Sequence, residues 1–312
     1  MAAARIVEVG PRDGLQSHDA EVPTDRKVAL IERLVQAGLT DIEATSFAHP
    51  KVVPHLADGA EVLARLPRRE GVRYRALVPN HKGAVRAIDA GADLIVAFVS
   101  ASPTYSARNQ NMTIEEALGQ LERIAAAAHE ASIGWVAGVS MALGSPYEDD
   151  IPVEDVLAIV QRCEALGPEH LYVADTVGGA PPARVRALCE EVRGRWPDLS
   201  LAVHLHGADA RGLACAAAAV DAGAEQVETS ICGLGGPVVR SPRSPLVGNL
   251  ATEAVVAAFA ELGIDTGLEV AAVEAAARDA AELLGLPPEA GAPKRADRRD
   301  VADLAGIASA RA

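Results

Sequence analysis

Two short stretches of this chain carry residue types that act together in carbon and proton chemistry. "VEVGPRDGLQS" (7–17) runs from an apolar segment into a turn holding Arg12 and Asp13, and "LAVHLHGADA" (201–210) ends with His204 and His206. Residues i and i+2 of a strand point to one side, so the two imidazoles share a face. Joined by Asp13, they form a mixed oxygen and nitrogen ligand set. With positions left for water and substrate, such a set suits six-coordinate Mg²⁺ or Mn²⁺, and Co²⁺ or Zn²⁺ is also compatible. The competing reading is a pair of structural histidines beside a loop.

These residues meet only if the elements that carry them converge. Apolar, β-branched runs at 4–9, 40–45, 74–78, 94–99, 135–140, 170–175, 201–206 and 226–231 predict buried parallel strands. Between them lie segments with apolar residues three and four apart. One, 24–38, opens on Thr24 as a cap and stops at Gly38; another, 113–131, carries Thr113 and Glu116 as a capping box. Eight strand–helix pairs in succession predict an α/β fold, the (β/α)8 TIM barrel, followed by helices over about 250–262 and 268–284. The expected division is a catalytic barrel with its C-terminal helices over 1–286 and a peripheral or partly disordered tail over 287–312.

In such a barrel the carboxyl ends of the strands share one mouth, where function gathers. That filter selects Arg12 and Asp13 after the first strand, Glu43 and Ser46 at the second, Asp175 and Thr176 at the sixth, and His204 and His206 at the seventh. Asn249 opens the helix beyond the eighth. Asp175 could equally cap the next helix, and Ser46 could satisfy a backbone group.

Composition narrows the classes. A net charge of −14 with no basic stripe argues against nucleic acid. No charge-free apolar run is long enough for a membrane span and no signal-peptide pattern opens the chain, so the expectation is a cytoplasmic protein. Cys163, Cys189, Cys215 and Cys232 match no zinc-ribbon or CxxC spacing, and the first three fall in helical stretches as buried thiols.

The motifs together resemble the 3-hydroxy-3-methylglutaryl-CoA lyase family, within the metal-dependent barrel lyases and Claisen-type synthases. "VEVGPRDGLQ" (7–16), "IEATSFAHPKVVPHLAD" (42–58), "ALGSPYED" (142–149), "ADTVG" (174–178) and "GNLATE" (248–253) carry the resemblance, which spans about residues 4–265. It implies that Asp13, His204, His206 and Asn249 hold a divalent cation and that Arg12 stabilises an enolate oxygen. It further implies that Glu43 supports Arg12 and that Asp175 assists proton movement. Gln16, Ser46 and Thr176 are the expected substrate contacts, with an acyl-CoA or a hydroxy or keto acid as the small-molecule partner. "SARNQN" (106–111), read as the loop after the fourth strand, offers Arg108 and Asn109 to a CoA moiety, or is an ordinary polar loop. A homo-oligomer is expected, as is common for barrels.

The chain departs from the family in "GLGGP" (233–237), where Pro237 stands in place of a catalytic thiol that the lyase carries. Proline cannot transfer a proton. The stretch that follows is longer than the family's and holds Arg240 and Arg243, which could clamp a carboxylate or phosphate or face water. Gly207 and Ala208 follow the histidine pair where the family has an aspartate. Cys232 could supply a thiol, although buried packing is the simpler reading. The leading expectation is cleavage of a 3-hydroxy-3-methylglutaryl-CoA-like thioester to acetyl-CoA and a keto acid. The alternatives are the reverse, a condensing enzyme on acyl-CoA or keto acid, and a non-catalytic barrel that binds metal or acyl-CoA.

Overall fold

Eight parallel strands close on one another in sequence order, with β1 pairing both β2 and β8. They are β1 (Arg5–Glu8), β2 (Asp41–Ser46), β3 (Arg73–Leu77), β4 (Leu94–Ser100), β5 (Gly134–Ser140), β6 (His170–Asp175), β7 (Leu201–Leu205) and β8 (Gln226–Thr229). The structure is a computed structural model and describes residues 2–18, 20–236, 248–292 and 296–307. Pro237, Arg240 and Arg243 lie outside the described residues.

Helices α1 (Thr24–Gln36), α2 (Gly59–Arg65), α3 (His81–Asp89), α4 (Pro103–Gln110) and α5 (Ile114–Glu130) cover the first half of the barrel. Helices α6 (Val153–Glu164), α7 (Pro182–Arg195), α8 (Ala210–Asp221) and α9 (Thr252–Leu262) cover the second half. The α5 capping box forms as expected, with Thr113 and Glu116 each bonding the other's backbone. Thr24 does not cap α1: Pro23 holds that place, and the Thr24 hydroxyl donates to Asp58 at 2.7 Å. Residues 106–110 are not loop but part of α4, because Ser102 caps it and Pro103 supplies a preset first turn.

The Ala-rich composition is spent on close helix packing. In α8 every residue from Gly212 to Val220 is buried, enclosed by α7, α9 and α11 (Arg298–Ala305). Helix α11 lies in the stretch expected to be a loose tail, yet it buries Val301, Ala302 and Ala305. Asp297 caps it, and Arg186 donates to its last carbonyl at 3.0 Å. The remaining helix, α10 (Val270–Leu284), packs on α1 and α9. Cys232 sits past β8 in a short turn with φ of 60°, its thiol donating to the Ala277 carbonyl at 3.3 Å.

The barrel interior holds both apolar and charged side chains. Leu77, Leu94, Val96, Val136, Ala174 and Ala202 form an apolar cluster separate from the main core under the helices. Beside it, in register with Leu94, Arg75 is fully buried and binds both oxygens of Asp41, with His170 at 3.0 Å and Gln226 at 3.3 Å.

Glu8 ties the β1 and β8 ends together. Its carboxyl accepts N–H bonds from Gly10 and Ile231 and a hydroxyl bond from Thr252 at 2.6 Å. Burial pushes its pKa up to about 7 against these three bonds, with Glu253 adding to the rise. Between an ordinary value of 4.5 and about 7, the folded chain therefore keeps a proton that the unfolded chain has lost. Stability should fall as pH rises through that window, by about 3 kcal/mol for a shift of this size. Glu8→Gln copies the protonated carboxyl. Its unfolding midpoint, followed from pH 4 to 8, should match the parent in acid and exceed it above neutrality. Parallel profiles would refute this.

Candidate active site

After β1 the chain makes a wide turn over Gly10–Gly14, in which the Val9 carbonyl accepts the N–H groups of Arg12 at 3.1 Å and Asp13 at 2.7 Å. Such π-type turns are uncommon and gather at functional sites. This one presents both side chains at the barrel mouth while keeping them buried. Arg12 donates through Nη1 to Asp13 at 2.5 Å and through Nε to Glu43 in a close ion pair. Gln16 donates to Asp13 Oδ1 at 2.7 Å, and Asn249 Nδ2 donates to Asp13 Oδ2 at 2.7 Å.

His204 and His206 do share a side: their Nε2 atoms lie 3.1 Å apart. Carboxylate and imidazole ligand atoms of Asp13, His204 and His206 all fall within 4.8 Å of one another. Asn249 reaches this group through an isolated bridge to His206, not as the first residue of α9. Its buried Oδ1 has no hydrogen-bond partner among the described residues. Gly235 presses against the same pair: a Cβ there would come within 2.3 Å of Asn249 Nδ2 and 2.9 Å of Asp13 Oδ2.

Charge makes the case for a cation independently. Asp13, Asp41, Glu43 and Glu228 are buried carboxylates in the barrel interior; among the described residues Arg12 and Arg75 face them as buried guanidiniums, and the half-buried Arg73 also pairs with Asp41 at 2.9 Å. Uncompensated buried charge is costly. Burial pushes Asp13 up, but Arg12, His204, His206 and Asn249 together hold it below the ordinary carboxylate value. Glu43 is pushed up by burial, with Glu228 and Asp13 adding, against the pull of Arg12. A divalent ion held by Asp13, His204, His206 and the free Asn249 oxygen would fit both the donor set and the surplus negative charge.

Glu228, which the sequence reading passed over, supports this cluster. Its Oε2 lies 2.9 Å from His204 Nδ1, and its other oxygen 3.7 Å from Arg75. Burial lowers the His204 pKa, but the hydrogen bond and charge of Glu228 carry it above its ordinary value. The contact leaves Nε2 aimed at His206 and Asp13. Glu228→Gln should weaken Mn²⁺ binding by roughly ten- to a hundredfold, measured by calorimetry. Unchanged affinity would mean that the glutamate only packs.

The cluster forms one end of a cavity of about 250 Å³. Gln16, Ser46, Thr176 and Asn109 line it with Arg12, Asp13 and both histidines. Ser46 gets there through a bulge in β2 between Glu43 and Thr45, which shifts the strand's alternation by one. Its hydroxyl also accepts from Ala48 N at 3.1 Å, and Thr176 accepts from Met141 N at 2.9 Å. Leu77, Phe98, Val53 and Ala174 make the apolar wall, and Ser140 adds a buried hydroxyl without a partner among the described residues.

Four expected residues do not line the cavity: Glu43 sits behind Arg12, Asn249 adjoins Asp13, and Asp175 and Arg108 point elsewhere. Asp175 lies on the outer side of β6, where its carboxylate accepts the N–H groups of Gly179 at 3.2 Å and Ala180 at 2.8 Å. Tyr172 and Ala174 take the inward positions, so strand alternation turns Asp175 away. Burial raises its pKa in spite of those bonds. Arg108 stacks over the Tyr147 ring at 4.9 Å and is absent from the cavity lining.

A family model described as HMGL-like matches residues 3–279. The chain belongs to the HMGL-like family. Among curated relatives, the cytoplasmic 3-hydroxy-3-methylglutaryl-CoA lyase of Rattus norvegicus is 39% identical over 266 residues, covering 85% of this chain and 77% of that protein. The hydroxymethylglutaryl-CoA lyase of Bacillus subtilis is 36% identical over 90% of this chain and 93% of its own. A crystal structure of a Bacillus subtilis HMG-CoA lyase superposes with a TM-score of 0.85 at 36% identity, covering 92% of this chain and 95% of that one. The HMG-CoA lyase of Acinetobacter baumannii, solved with coenzyme A and 3-methylmalate, has a TM-score of 0.85 at 32% identity, covering 100% and 97%. This HMGL-like chain thus shares its barrel with lyases across nearly its whole length.

Proposed function

We propose that this HMGL-like protein is a divalent-metal-dependent carbon–carbon lyase. Its substrate would be a 3-hydroxy-3-methylglutaryl-CoA-like thioester, cleaved to acetyl-CoA and a keto acid. The observation that carries the reading is the convergence of Asp13, His204 and His206 beside Arg12 in one cavity at the barrel mouth.

Cleavage breaks the C2–C3 bond: the hydroxyl proton passes to a base or water, C3 becomes a ketone, the electron pair passes to the thioester as an enolate, and a proton delivered from water to C2 gives acetyl-CoA. A bound divalent cation would lower the pKa of the substrate hydroxyl and orient the oxygens. Asp13, His204, His206 and Asn249 would hold it. Arg12 offers its remaining N–H groups to the developing enolate oxygen, an effect of about 3–4 kcal/mol for a single well-placed donor. Glu43 and Asp13 clamp the guanidinium fork from two sides, which a lysine could not allow. The cavity lies below the roughly 300–1,000 Å³ usual for drug-sized ligands. That suits a short acyl group whose carrier stays outside.

Among the described residues no helix is long and apolar enough to cross a membrane. The proposal includes a cytoplasmic location and a homo-oligomer, open to fractionation and light scattering. The deciding experiment supplies purified protein with Mg²⁺ or Mn²⁺ and a panel of 3-hydroxyacyl-CoA thioesters, read by mass spectrometry in both directions. Chelator-sensitive release of acetyl-CoA is expected. Turnover of none of them, or condensation alone, would sink the lyase reading.

A further inference from the structure

Tyr172 occupies a place that β5 clears for it. The strand register sets it opposite Gly138, and a Cβ added at Gly138 would lie 2.1 Å from the ring Cζ and 2.3 Å from the phenol oxygen. The phenol thus lies across bare backbone, where any side chain would displace it. The residue is 5% exposed and lines the same cavity as Arg12 and Asp13, with its ring 6.0 Å from that of His204.

Phenols ordinarily find a hydrogen-bond partner, but among the described residues this hydroxyl makes no hydrogen bond and its residue borders the cavity. An unpaired donor facing a cavity is aimed at whatever enters. A tyrosine hydroxyl ordinarily titrates at about 10, well above neutral pH. The oxygen therefore keeps its proton and serves as a donor.

We propose that Tyr172 is a further catalytic residue, its hydroxyl and the uncommitted N–H groups of Arg12 together forming a two-donor site for the enolate oxygen. This rests on the lyase reading above. Arg12 is shared between two carboxylates, which weakens its field at the substrate. A neutral donor with no competing acceptor supplements it without adding charge. No bond to Tyr172 forms and its proton stays on the phenol; only a hydrogen bond strengthens as the C2–C3 electrons move to the thioester.

The test is Tyr172→Phe, which removes one oxygen and keeps the ring over Gly138. Two rates are measured: acetyl-CoA release from a 3-hydroxyacyl thioester, and exchange of the acetyl-CoA methyl hydrogens in D₂O by NMR. Both should fall roughly 10²-fold in kcat, with KM little changed. Mn²⁺ binding by EPR and the unfolding midpoint should be unmoved, which separates a lost donor from lost packing. An active parent whose two rates survive Tyr172→Phe overturns the inference and leaves the lyase reading standing. So does a variant changed in KM alone, since the hydroxyl would then touch only the ground state. A parent inert in both assays overturns the lyase reading and this inference with it.

Discussion

Replacing Arg12 by Gln should lower kcat for acetyl-CoA release about 10³-fold, at the upper end of what one oxyanion donor supplies. No other Lys or Arg lines the cavity among the described residues, so none can take over. A second effect accompanies the loss. Arg12 is the strongest attraction holding Asp13 below its ordinary pKa, and burial works the other way. Without the guanidinium, Asp13 should keep its proton to higher pH, and the acid limb of Mn²⁺ binding should move upward. Arg12→Lys keeps the charge but loses the fork to Glu43 and Asp13, so it should recover only part of the rate. Steady-state kinetics with a pH series of Mn²⁺ titrations would check both. An Arg12→Gln enzyme with parental kcat would remove the guanidinium from the chemistry.

Asp13→Asn should cost more in metal binding than the ten- to hundredfold expected at Glu228, because it strikes a proposed ligand and not its support. The change removes the one carboxylate in the Asp13, His204 and His206 group. It also replaces an acceptor of bonds from Arg12, Gln16 and Asn249 by a group that is half donor. Mn²⁺ titration by EPR should show the high-affinity site gone, and activity should be lost at any practical Mn²⁺ concentration. Retained tight binding would place the cation elsewhere.

Much of this was legible in the chain. The eight-strand alternation follows from short apolar runs separated by amphipathic segments, and all eight strands form within two residues of their expected limits, β8 differing most. That strand stops at Thr229, where Ser230 breaks away to pair with Ala251. The histidine pair was readable because period-two geometry is local: His204 and His206 share a face whatever surrounds them. The same rule, applied to the β6 stretch, sets Asp175 and Tyr172 on opposite faces.

Helix α4 was misread because Asn and Gln suggest loop, whereas Ser102 and Pro103 just upstream start a helix. Glu228 drew no notice because a single acid in an apolar strand has no meaning until its neighbour on β7 is known. The β2 bulge, the π-type turn under Arg12 and the clearance of Gly138 for Tyr172 share that origin. Local pattern was therefore enough for the element order, the barrel and the residue types at its mouth, because periodicity and capping act within a few residues. Which side chains meet, which turn away, and where charge is left over depended on strand register and burial. Those are set by contacts between segments far apart in the chain, and no single stretch encodes them.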